Sequence, residues 1–218
     1  MSASLLPLSI ENADVDINRQ TLLKGINLTV TKEPLSIVLG ANGAGKTLLL
    51  KLCSGLLQTS RGQLHWNRSI QISKGSLPAL SLVFQKPVLL KRSVADNIKF
   101  ALKGLSRNKI ESQTASALQW AEIESLADQQ ANTLSGGQQQ LVAIARAWAT
   151  QPEVLLLDEP TANLDSVSAE HLMDLFVELN EKHKITFVIA THDQRVMNHA
   201  RRLIHMVDGK IVSDEHSD

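Results

Sequence analysis

Residues 35–55 read "LSIVLGANGAGKTLLLKLCSG". An apolar strand-like run breaks at three closely spaced glycines and continues as an apolar helix-like run. That order dictates a strand–loop–helix unit whose loop must bend sharply. Residues 40–47, "GANGAGKT", fit G-x-x-x-x-G-K-[ST] in the context that gives the pattern its meaning. Gly40, Gly43 and Gly45 let the backbone turn so that successive amides point at one phosphate chain. Asn42, Ala44 and Leu48 belong to the same cradle. Lys46 is placed to reach the outer phosphates, and the Thr47 hydroxyl to ligate Mg²⁺. Leu48 stands where a second hydroxyl would often meet the inner phosphate. The plain alternative is a glycine-rich turn capping a helix.

The surrounding pattern predicts an α/β fold. "LSIENADVDI" and "LLKGINLTV" alternate like antiparallel strands, while "GQLHWN" and "LSLVFQ" read as further strands. "EVLLLDEP" and "ITFVIATH" are short apolar strands of the kind covered on both faces in a parallel sheet. Residues 93–127 change texture, with helix formers and few β-branched residues, and Leu141, Ile144, Ala145 and Trp148 recur at helical spacing. Leu172, Leu175, Phe176 and Leu179 mark another helix. "DQRVMNHA" followed by "RLIHMVDGKIV" reads as a last helix and strand. The expected organisation is a single domain over 1–213. Its core covers about 1–86 and 151–213, with a mostly parallel sheet and an antiparallel β subdomain. A helical subdomain is inserted over about 87–150, and 214–218 form a frayed tail.

Strand C-termini line the ligand crevice of an open parallel sheet. On that rule Asp158 and Glu159, ending "VLLLDEP", face the phosphate loop. Asp158 fits a Mg²⁺ partner, and Glu159 a general base that orients water. An acidic helix cap is the other reading. His192 ends the next strand, where an imidazole can bond the outer phosphate and hold the water; a structural histidine is the alternative. Gln85 also closes a strand, and its amide can touch Mg²⁺ or water, unless it is a turn residue before Pro87.

A second anion-binding feature stands at 134–140, "LSGGQQQ". Helix-start amides are unpaired and the helix dipole favours negative charge there. One chain thus carries two phosphate-binding loops, far apart in sequence.

Taken in order, "GANGAGKT", the strand-end Gln85, "LSGGQQQ", "LLLDEPTANLD" and "ATHD" resemble the ATP-binding-cassette (ABC) ATPases over almost the whole chain. In that family two cassettes pair head to tail around ATP. The resemblance implies that Ser135, Gly136, Gly137 and Gln138 meet the γ-phosphate held by the opposite subunit, and that Asp165 lies in the loop joining the two sites. Two loops are present because each completes the other copy's site. Two departures stand out. Ile17 falls where family members stack an aromatic ring on adenine, in a chain with no tyrosine, and Leu141 replaces a common arginine.

The chain has no apolar run near the ~20 residues needed to span a bilayer. With the resemblance, this predicts a peripheral subunit on the cytoplasmic face of the inner membrane, soluble when isolated. It would dock on permease subunits and act indirectly with a solute-binding protein. Val88, Leu89 and Leu90 are either the groove for a partner helix or ordinary core. Lysine plus arginine equals aspartate plus glutamate at 22 each, so no basic excess points to nucleic acid. Cys53, alone among leucines, reads as a core thiol. "GAGKTLLLKLCSGLL", "GQLHW", "VFQKPVLLKRSVADNI" and "DEPTANLD" are most similar to tungstate-importer ATPases. Phosphate, molybdate or polar amino-acid import is the main alternative, with export or lipoprotein release and soluble repair or translation ATPases as further classes.

Overall fold

The computed structural model describes residues 4–32, 35–67 and 79–216. Its strands are β1 (Leu8–Ile17), β2 (Gln20–Val30), β3 (Ser36–Leu39), β4 (Arg61–Trp66), β5 (Leu80–Val83), β6 (Val154–Asp158), β7 (Thr186–Thr191), β8 (Arg202–Val207) and β9 (Lys210–His216). The α-helices are α1 (Lys46–Cys53), α2 (Val94–Ala101), α3 (Arg107–Trp120), α4 (Gly136–Ala149) and α5 (Ser166–His183). β2, β1 and β4 form an antiparallel sheet, and the main sheet runs β5-β6-β7-β3-β8-β9, parallel except for β9.

The apolar runs form central strands because they have neighbours on both faces. β3, β6 and β7 are buried along their whole length. Side chains alternate across a strand, so each run feeds two cores. Leu155, Leu157, Phe187 and Ile189 join the core under the helices α2 to α5. Leu156, Val188, Ala190 and Val38 join a second core with α1 and the antiparallel sheet. Truncating one such leucine to alanine typically costs about 2–5 kcal/mol.

Parallel pairing also sets the site. Leu39 lies opposite Thr191, and Asp158 opposite Ala190. Gly40, Glu159 and His192 therefore leave the sheet side by side at one edge.

The chain after β5 is held by Asn97, which is fully buried. Its Oδ1 accepts from the Leu90 amide, and its Nδ2 donates to the carbonyls of Leu90, Arg92 and Ser93. This clamp divides the apolar triplet: Val88 is 78% exposed, whereas Leu89 and Leu90 are half-buried, with Leu89 against the helical core.

Two expectations near the C-terminus need correction. "RLIHMVDGKIV" is not one strand but the hairpin β8–β9, preceded by a 3₁₀ turn over Gln194–His199 rather than an α-helix. Asp208 and Gly209 both take positive φ (45° and 76°), which suits a two-residue hairpin turn. The tail expected to fray from Asp214 instead continues β9 to His216. Arg202 is buried and grips both Asp214 carboxylate oxygens at 2.7 and 2.6 Å, so the strand has an internal anchor. That contact holds the Asp214 carboxyl below its ordinary range. Residues 217 and 218 lie outside the described residues.

Candidate functional site

The cradle between β3 and α1 is assembled from within. Gly45 begins α1 at φ 104°, a left-handed conformation that favours glycine, and no side chain caps the helix. The first-turn amides thus meet no competing cap. Lys46 is buried; its Nζ donates to the carbonyls of Gly40 (2.7 Å) and Ala41 (3.3 Å) and lies 3.2 Å from Glu159 Oε1. The Thr47 hydroxyl meets both oxygens of Asp158, at 3.0 and 2.8 Å. Burial pushes the Asp158 carboxyl above its ordinary range, against the Thr47 hydrogen bond, and the Glu159 charge adds to the rise.

A cavity of about 290 Å³ opens at this edge. Asn42, Gly43, Gly45, Lys46, Thr47 and Leu48 line it, joined by Gln85 and Glu159 from other strands. Gly40 and Ala44 lie behind it: the first gives its carbonyl to Lys46, and the second is buried with its carbonyl bonded to the Gly209 amide at 2.9 Å. Ile17 is not among the lining residues. It ends β1 opposite Gln20 and packs half-buried against the core beneath the antiparallel sheet.

Glu159 has positive φ (49°), an uncommon conformation outside glycine and characteristic of over-determined sites. Its amide is tied to the Ala190 carbonyl at 2.8 Å. Its two oxygens differ. Oε2 accepts from the Thr191 hydroxyl (3.1 Å) and the His192 amide (3.4 Å), and lies 2.9 Å from His192 Nδ1. A carboxylate oxygen only accepts, so Nδ1 carries the proton in that contact. Oε1 lies 3.2 Å from the Lys46 ammonium and receives no hydrogen bond from the described residues. The carboxylate is clamped by one oxygen and has acceptor capacity on the other, as a base that orients water requires.

The second anion-binding feature has a different build. Ser135 caps α4 through a capping box: its Oγ accepts from the Gln138 amide at 3.3 Å, and Gln138 Oε1 accepts from the Ser135 amide at 3.1 Å. Gln138 is thus already used in the cap. Ser135, Gly136, Gly137 and Gln138 line a cavity of about 390 Å³ together with Asp165. Asp165 caps α5, accepting from the Val167 and Ser168 amides and the Ser168 hydroxyl. Hydrogen bonds from Ser168 hold its carboxyl below the ordinary range. Among the described residues, none lines both cavities.

Sequence reasoning missed Gly209 and Thr191. Gly209 donates to Ala44 and accepts from the Lys24 amide, so the β8–β9 turn clasps the cradle to β2. A Cβ at Gly209 would come within 2.0 Å of the Leu22 carbonyl oxygen. The Asp-Gly pair flanked by apolar residues was the available signal. Nothing local marks Thr191, whose partners come from other elements.

The family model for the ABC transporter matches residues 23–162. The chain is 37% identical over 202 residues to the tungstate uptake system ATP-binding protein TupC of Peptoclostridium acidaminophilum, covering 91% of each. It is 32% identical over 228 residues to the lipoprotein-releasing system ATP-binding protein LolD 1 of Chlorobium chlorochromatii, covering 98% of this chain and 93% of that one. Among solved structures, the ATP-binding cassette MJ0796, a dimer in a post-hydrolysis state bound to ADP and Pi, superposes with a TM-score of 0.86 at 28% identity. The match covers 96% of this chain and 98% of that one.

Proposed function

Since this chain belongs to the ABC transporter family of ATP-hydrolysing cassettes, we propose that it works as a head-to-tail homodimer, each ATP held between the cradle of one copy and the α4 start of the other. One observation carries the reading: the two phosphate-binding features occupy separate cavities with no residue in common. The cradle cavity, at about 290 Å³, is at the lower limit of small-molecule sites, which run from about 300 Å³ upward. A second copy adds the missing wall. The dimeric state of the MJ0796 cassette bound to ADP and Pi supports a pairing of two cassettes.

Within one copy, the amides of Gly43 to Thr47 and the Lys46 ammonium would hold the phosphate chain. Lys46 would exchange the Gly40 and Ala41 carbonyls for phosphate oxygens. Glu159 would accept a proton from the attacking water at Oε1 while His192 and Thr191 retain Oε2. Ser135 and the Gly136 and Gly137 amides would close on the outer phosphate from the partner copy. Thr47, Asp158 and Gln85 form an all-oxygen donor set suited to Mg²⁺. No group of three His, Cys, Asp or Glu capable of holding a metal occurs among the described residues, so phosphate and water oxygens would complete the shell. Bound there, Mg²⁺ would offset charge on the phosphate oxygens.

Mixing two damaged proteins tests the composite site. Gly136 has room for a side chain, the nearest atom to a Cβ being Asn163 Cβ at 3.8 Å, so Gly136→Asp folds while placing a carboxylate against the phosphate. Gly136→Asp and Lys46→Ala are each expected to be inactive alone. Mixed in equal amounts they regain about a quarter of the sites, since half the dimers are mixed and each holds one intact junction. A Gly136→Asp protein that hydrolyses ATP at the parental rate removes the α4 start from the site.

We further propose that the ATPase drives import of a small oxyanion such as tungstate through a membrane permease, on the cytoplasmic face of the membrane and fed by a solute-binding protein. The likeness to TupC supports this cargo, and the likeness to LolD 1 supports lipoprotein release as the second reading. A groove of about 350 Å³ lined by Leu82, Phe84, Val88, Ala101 and Ala147 offers a permease helix an apolar seat. None of the helices among the described residues is long and apolar enough to cross a membrane itself. Deleting the gene should abolish tungstate uptake in cells; undiminished uptake sinks the cargo assignment.

A further inference from the structure

The start of α5 and the Glu159 carboxylate belong to different parts of the fold, yet hydrogen bonds through Arg195, Asp193 and Thr191 join them, passing through the covalent frame of Asp193 between its carboxylate and its amide. Ser166 follows Asp165 directly, and its Oγ receives Arg195 Nη1 at 2.5 Å. Arg195 holds both oxygens of Asp193, through Nε at 2.8 Å and Nη2 at 2.7 Å. The Asp193 amide donates to the Thr191 hydroxyl at 3.0 Å, and that hydroxyl donates to Glu159 Oε2 at 3.1 Å. Thr191 is fully buried, so water cannot replace either bond.

We infer that Arg195, Asp193 and Thr191 are positioning residues that tie the start of α5 to the orientation of the Glu159 carboxylate. The inference rests on the reading of Glu159 as the base and of the Asp165 region as the junction between copies. The chemistry favours a relay over a set of independent contacts. The Thr191 hydroxyl is donor and acceptor at once, so its direction is set by Asp193 on one side and Glu159 on the other. Asp193 is in turn held by a planar, two-pronged guanidinium, which transmits orientation as well as charge. Without the Thr191 bond, Oε2 keeps only the His192 contacts, Nδ1 at 2.9 Å and the amide at 3.4 Å, and the carboxylate is less constrained against turning toward the Lys46 ammonium, already 3.2 Å from Oε1. A contact made at Ser166 by a second copy would therefore alter where the base points. Arg195 itself lines neither of these two cavities.

Turnover of the full-length chain, resolved into kcat and KM for ATP, tests this. Arg195→Met and Thr191→Val should each lower kcat about tenfold with KM held within about twofold, as expected for misorientation of a base rather than lost binding. Thr191→Ser, which keeps the hydroxyl, should stay near the parent. The double variant should be no slower than Thr191→Val alone, because one broken link already interrupts the relay. Multiplying losses, a change confined to KM, or a serine variant as slow as the valine one would overturn the proposal. Should Thr191→Val not fold, Arg195→Met combined with Ser166→Ala gives the same cycle at exposed positions. A Glu159→Gln protein running at the parental rate would instead overturn the reading of the base; an inactive one alongside multiplying losses removes the relay alone.

Discussion

The cradle edge and the α4 start both open on helix-start amides, but their polar groups are satisfied in opposite ways. At the cradle, Lys46, Asp158 and Glu159 are buried; the Thr47 hydroxyl bonds Asp158, and the Lys46 ammonium lies 3.2 Å from Glu159. At the α4 start, Ser135 and Gln138 only cap each other, and Asp165 only caps its own helix. Both sets of caps are exposed. The two aspartates record the contrast. Burial drives Asp158 upward, whereas hydrogen bonds at the helix start drive Asp165 downward. The difference teaches that the cradle's polar groups are paired with one another across strands, whereas the α4 start is paired only within its own turn. On the proposed reading, the exposed helix start meets its ligand only when a second copy brings it.

The sharpest way to break that division is Glu159→Gln. The amide keeps the shape but cannot take a proton, so turnover should fall by about 10²- to 10⁴-fold while both phosphate grips remain. The ATP-bound variant should then elute as a stable dimer in size-exclusion chromatography. A monomer under saturating ATP would mean that the α4 start does not engage nucleotide across copies.

A smaller effect sharpens the contrast through pH. Followed by carboxyl carbon NMR without nucleotide, Asp158 should titrate above the ordinary value of about 3.9 and Asp165 below it. The signs differ for stability as well. Asp165 has a depressed native pKa, so its cap contributes fully above about 3.9 and is lost as the pH falls through the lower native value. Asp158 has a raised native pKa, so the cost of its buried charge is present above that value and is relieved as the pH falls through it. Coincident titrations would remove the distinction between a buried pair and an open cap.

Much of the cradle was legible because its residues are contiguous. Gly40 to Leu48 needed only a strand before and a helix after, and the fold brings Gln85 and Glu159 to the same cavity because parallel strands end together. The hairpin of β8 and β9 was missed because an apolar run over residues 202–212 reads as one strand until Asp208 and Gly209 are recognised as a turn. Ser213 to His216 look like a polar tail, and only the buried Arg202 beneath Asp214 makes them a strand. Ile17 was placed by the family pattern alone, and a pattern position does not say which cavity a half-buried side chain lines.

From its order of residues alone, this protein was committed to a glycine cradle between strand and helix, two carboxylates at a strand end and a second bare helix start. Those features depend on neighbours within a few positions, where propensity, capping and periodicity operate. Only the tertiary structure decided that Gly209 clasps Ala44, that Thr191 holds one oxygen of Glu159, and that the two phosphate-binding features open into separate cavities. Hydrogen bonds between distant segments require particular atoms to meet at about 3 Å, and chain folding, not local pattern, brings them there.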